Sequence, residues 1–88
     1  MGKDENLSWE VIFDFLKKKR ELPSDLQLAK SLGVSRGFLC AIKKGRRNMP
    51  AQRGLDILNE LDIKLRDDEF ALLLAGSKVR KALNKYDT

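Results

Sequence analysis

Helix start and stop signals recur at short intervals along this chain, and they leave room for little besides a set of short packed helices. Ser8 precedes an apolar-periodic segment as an N-cap, with Leu7 placed to staple onto Ile12. Trp9, Ile12, Phe13 and Leu16 share one face of a helical wheel, flanked by Val11 and Phe15, while Glu10, Asp14, Lys17 and Lys18 fill the other. The spacing predicts a core helix to about residue 20, stopped by Pro23, which disfavours helical backbone in the residue before it. Ser24 with Gln27 three residues on has capping-box spacing and opens a second helix, ended at Gly33 by a left-handed residue. Ser35 caps a third, which ends near Lys44 at Gly45. Pro50 begins a fourth through Leu61, with Leu55, Leu58 and Leu61 at inward spacing.

Residues 62–66 alternate and read as extended. Asp67, Asp68 and Glu69 then stand where the positive end of a helix favours acid, and residues 70–83 are helical by composition. The expectation is one all-α domain over 1–88 with five helices, or six if the last segment breaks at Gly76-Ser77.

Eighty-eight residues are close to the smallest size at which one core holds without staples. No apolar run approaches the roughly 20 residues that cross a bilayer, and the first residues lack the apolar stretch of a secretory signal. Cys40 is the one cysteine, so an internal disulfide is impossible, and the expected location is cytoplasmic: a bacterial cytoplasm or nucleoid, or a phage-infected host cell.

Charge is distributed unevenly. The net charge is +5, but residues 26–55 contain no Asp or Glu and carry Lys30, Arg36, Lys43, Lys44, Arg46, Arg47 and Arg53. The run Lys17-Lys18-Lys19-Arg20 reads as a solvated helix end that adds longer-range attraction. An acid-free basic stretch spanning a whole motif reads instead as a footprint for phosphate.

That stretch holds a specific pattern. In residues 24–44 two short helices meet across a tight turn, with Ala29 small where they approach and Gly33 allowing the turn. Leu28, Leu32, Val34, Leu39 and Ile42 face inward, and Gly37, Cys40, Ala41 and Lys44 face outward with Arg36 and Lys43 beside them. Leu28-Ala29, Leu32-Gly33-Val34, Leu39, Ile42 and the closing Lys44-Gly45-Arg46-Arg47 resemble the Cro and CI repressors of phages and the related Xre-like regulators; the resemblance covers roughly residues 9–61, within a helix-turn-helix core of about 7–61.

The resemblance implies a lambda-repressor-like DNA-binding domain whose third helix enters the major groove of double-stranded DNA. It implies contacts from Ser35, Arg36 and Gly37 at the start of that helix and from Cys40, Ala41 and Lys44 along it. Arg36 is the leading candidate for reading guanine, Lys43 and Gln27 for touching phosphate, and Arg46, Arg47 and Asn48 for backbone or base edges. Arg53 is a weaker candidate. Two positions depart from the pattern. Asp25 puts a carboxylate where many relatives have glutamine or threonine, which opposes a phosphate contact. Gly37, Cys40 and Ala41 offer few side-chain hydrogen bonds, so specificity shifts to Arg36, Lys44, thymine methyls and DNA shape. Gly37 either admits close backbone approach or is a neutral position.

Catalysis has few candidate groups. Histidine is absent, Cys40 has no base beside it, and Asp67-Asp68-Glu69 is explained by helix electrostatics rather than a metal. No enzyme activity, cofactor or small-molecule ligand is expected. Leu72, Gly76, Val79 and Leu83 form a second apolar stripe beside Phe70, Leu73 and Leu74, from which a homodimer built by residues 67–84 is expected on a pseudo-palindromic site. The rival readings are an adaptor or antitoxin-like protein-interaction module and a DNA-binding accessory protein without sequence preference.

Overall fold

The computed structural model describes residues 6–80. Five helices follow one another: α1 (Trp9–Arg20), α2 (Asp25–Leu32), α3 (Arg36–Lys43), α4 (Ala51–Glu60) and α5 (Asp67–Leu74). Two-residue strands, β1 (Asn6–Leu7) and β2 (Val79–Arg80), pair antiparallel and tie the two ends of the described chain together. The architecture is all-α apart from this short ladder.

The caps form where local chemistry dictates. Ser8, Ser24 and Ser35 each accept a hydrogen bond from the backbone N–H three residues on, satisfying one of the donors a helix start leaves unpaired. Gly33 ends α2 in the left-handed region at φ 75°. Glu21 takes the same conformation after α1, at φ 57°. At α5 the helix-start reading of the acids holds: Glu69 Oε1 accepts from the Arg66 backbone N–H at 3.0 Å, and Asp68 Oδ1 from that of Glu69 at 2.9 Å.

α1 is the spine. Trp9, Ile12, Phe13 and Leu16 are buried in a core shared with Leu28 and Ala29 of α2, Leu39 and Ile42 of α3, Ile57 and Leu58 of α4, and Leu73 of α5. Each such aliphatic or aromatic side chain contributes about 1.5–3 kcal/mol on burial. The Trp9 indole N–H donates to the Leu73 carbonyl at 2.9 Å, fixing α5 against α1. No buried side-chain polar atom lacks a partner among the described residues.

Three expectations are corrected. The inward face of α4 is Gly54, Ile57 and Leu58, and Leu55 is 44% exposed. A three-residue step falls about 60° short of a helical turn, so 55, 58 and 61 drift round the helix and cannot all face in. The alternation at 62–66 is real but makes no strand: Ile63 is buried and Leu65 half-buried on a loop that turns through Asp62 at φ 59°.

The third correction concerns the C-terminal segment. α5 stops at Leu74, because Gly76 adopts φ 90° and the Gly76 and Ser77 amides close back on Leu73 and Leu72. Val79 is then buried as the strand partner of Leu7. The proposed stripe is therefore no helix face: Leu72 is 51% exposed, Gly76 lies in the turn, Val79 is inside and Leu83 lies outside the described residues. Residues 67–84 do not form one helical segment, and 81–84 lie outside the described residues.

Candidate nucleic-acid interface

The α2–turn–α3 unit is closed by backbone chemistry at both ends. Val34 N–H bonds back to Ala29 O at 3.0 Å across Gly33, bringing the second helix over the small, buried Ala29. At the far end Gly45 takes φ 78° and the Arg46 N–H bonds to Ala41 O at 2.8 Å. This turn sends the chain back along α3 instead of away from it. Arg47 is thereby carried over the ring of Phe38, its guanidinium carbon 5.4 Å from the ring centroid.

Leu39 and Ile42 anchor α3 from below. Ser35, Arg36, Gly37, Cys40 and Lys44 are exposed, as are Gln27, Arg46, Arg47 and Asn48 around them, while Ala41 and Lys43 are half-buried. Ser35 and Gln27 are partly committed to capping: Ser35 Oγ accepts from Phe38 N–H, and the Gln27 backbone donates to Ser24 Oγ. Gly37 is not required by the fold, since a Cβ there would meet only Ser35 Oγ at 3.9 Å.

The carboxylate of Asp25, at the start of α2, is held by two lysines. Asp25 accepts from Lys17 of α1 at 2.7 Å and from Lys43 of α3 at 2.8 Å, with Asp14 a further 3.6 Å neighbour of Lys17. The hydrogen bonds from Lys17 and then Lys43 hold the Asp25 carboxyl below its ordinary range, and Asp25 raises the Lys17 ammonium. Asp25 is thus a strut among three helices, which explains a carboxylate in a basic motif. It also repositions Lys43, expected to contact phosphate, onto an internal ion pair.

Arg20 makes a two-pronged pair with Glu60 at 2.6 and 2.8 Å and bonds Ser31 Oγ at 2.8 Å, so it braces α1, α2 and α4. That pair lowers the Glu60 carboxyl and raises the Arg20 guanidinium. Arg53 donates to the Leu32 carbonyl at 2.7 Å, tying α4 to the end of α2.

What stays outward is cationic. Arg36, Lys44, Arg46 and Arg47 have no acidic partner among the described residues. Phe38 is half-buried and carries Arg47; its place one residue before Leu39 puts it about 100° round the helix from that buried side chain. The role of Asp25 had no local signal, because its partners are 8 and 18 residues away.

Other chemistry is sparse among the described residues. No group of three His, Cys, Asp or Glu side chains could hold a metal ion, and no helix is long and apolar enough to cross a membrane. Two open depressions of about 220 and 250 Å³ fall below the size of usual metabolite sites. No family model, curated protein or solved structure matches this chain.

Proposed function

We propose that this chain is a sequence-specific double-stranded DNA-binding regulator of transcription, a phage- or prophage-type repressor of Cro/CI-like character, acting in the cytoplasm without catalysis. The observation that carries the reading is the sorting of charge about α3. Arg36, Lys44, Arg46 and Arg47, with no acidic partner among the described residues, surround a small outer face, and the Asp25 carboxylate of the adjoining α2 is paired with Lys17 and Lys43. A helix with its side chains is about 10–12 Å across, which matches a major groove about 12 Å wide. Arg36 sits at the helix start, where side chains of an inserted helix meet base edges.

A homodimer remains part of this reading, with a different surface from the expected stripe. Leu55 is exposed beside the half-buried Leu65 and Phe70, around a depression rimmed by Lys64 and Asp67.

Selection of bound sites from random duplex DNA tests the function, repeated with Arg36→Ala. The expected result is a pseudo-palindromic site for the parent and loss of preference at one base per half-site for the variant, with general affinity mostly kept. A parent that binds duplex but enriches no sequence would make this an accessory DNA-binding protein. Absence of duplex binding at low salt would leave the protein-interaction reading.

A further inference from the structure

The loop after α3 is aimed rather than loose. Gly45 and the Arg46–Ala41 backbone bond fold it back, and Arg47 comes to rest over Phe38. Beside this pair lies an open depression of about 250 Å³ lined by Ser35, Gly37, Phe38, Ala41 and Arg47. We propose that this is a base-reading pocket in which Arg47 takes a guanine edge, the floor of Gly37 and Ala41 takes the methyl of a neighbouring thymine, and Phe38 positions Arg47. The inference rests on the DNA-binding reading and adds the bases recognised and the residue that orients the reader.

Three features support it. A ring beneath a guanidinium engages its face and leaves its N–H edge for acceptors, and no hydrogen bond joins the Arg47 side chain to another described residue. Guanine presents O6 and N7 as a matched acceptor pair in the major groove, and the thymine methyl projects into the same groove. Gly37 and Ala41 are the smallest side chains available, so the floor admits a methyl without displacing a larger group. Lysine in place of Arg47 would keep the charge and lose the planar fork. Leucine in place of Phe38 would keep an apolar side chain and lose the ring face.

The full-length chain and its Arg47→Lys, Phe38→Leu and Phe38→Tyr variants are carried through selection from random duplex DNA. Binding is then measured on the parent's site with one guanine replaced by 7-deazaguanine or one thymine by uracil. The parent should lose about 5-fold or more in affinity on the 7-deazaguanine site and a smaller factor on the uracil site. Arg47→Lys and Phe38→Leu should lose preference at that same guanine and become insensitive to 7-deazaguanine. Phe38→Tyr, which keeps the ring, should behave as the parent. Retained guanine preference in a folded Phe38→Leu protein overturns the positioning role. An unchanged site for Arg47→Lys, an exposed substitution that does not depend on core packing, overturns the pocket while leaving the DNA reading intact. A parent that selects no site removes the DNA-reading premise and the pocket with it.

Discussion

Gly37 and Gly54 both lie inside helices, but a methyl group added at each meets different surroundings. At Gly37 it meets nothing nearer than Ser35 Oγ at 3.9 Å, so alanine should fit. Alanine there should stabilise the free protein by up to about 1 kcal/mol, since glycine is the weaker helix former. At Gly54 the same methyl falls 3.0 Å from Trp9 Cη2 and 3.1 Å from Met49 Cγ. Trp9 cannot easily withdraw, because its indole N–H is bonded to Leu73 O in the core. Overpacking costs about 1–3 kcal/mol, more than the helix gains, so Gly54→Ala should lower stability by about 1 kcal/mol. Thermal melts of the two variants should move in opposite directions. On duplex DNA the order reverses: Gly37→Ala places a methyl on the outer face of α3 and should weaken binding despite its higher Tm. A Gly37→Ala protein that binds as tightly as the parent would show that close backbone approach plays no part at this position.

At the scale of elements, neighbouring lysines on α3 should differ sharply. The Lys43 ammonium is held by Asp25 at 2.8 Å and points into the strut between α1, α2 and α3, whereas Lys44 has no acidic partner among the described residues. If α3 lies on phosphate, Lys44→Ala should reduce the slope of log affinity against log salt by about one, and Lys43→Ala should change it by much less. Equal effects would mean that Lys43 leaves Asp25 when DNA arrives. The sequence sets Lys44 outward and Lys43 beside it, but the ion pair that separates their roles could not be read there, because Asp25 lies 18 residues from Lys43. What could be read was local: the Ser8, Ser24 and Ser35 caps and the Gly33 and Gly45 turns each depend on bonds spanning three to five residues. The Asp25 strut and the Leu7–Val79 ladder depend on partners that only the folded chain brings together. The end of α5 shows the same division. Gly76-Ser77 signalled a possible break, but the strand beyond it is two residues long, too short for its own periodicity to appear.

Over the whole molecule, two carboxylates brace the helices that present the α3 surface. Asp25 joins α2 to α1 through Lys17 and to α3 through Lys43, and Glu60 joins α4 to α1 through Arg20, which also reaches Ser31 of α2. Both carboxyls titrate lower in the folded chain than their ordinary values of 3.8 and 4.5. A group with a depressed folded pKa binds its proton more readily in the unfolded state, so its contribution is complete above the unfolded value and declines as pH falls through the folded one. Stability from these two braces should therefore be flat from pH 7 to about 5 and fall below about pH 4. The pairs are partly exposed, with side chains 23–30% accessible, so each contributes only about 0.5–1 kcal/mol. An Asp25→Asn/Glu60→Gln double variant should then lose about 1–2 kcal/mol at pH 7, on the order of 5–10 °C in Tm for a domain of this size. It should also lose less than the parent between pH 5 and pH 3, because two of the groups that respond to acid are gone. Melting curves at pH 7, 5 and 3 separate this from a general effect of acid. Parallel curves for the two proteins would mean that folding does not lower these two carboxyls and that the other carboxylates set the acid limit.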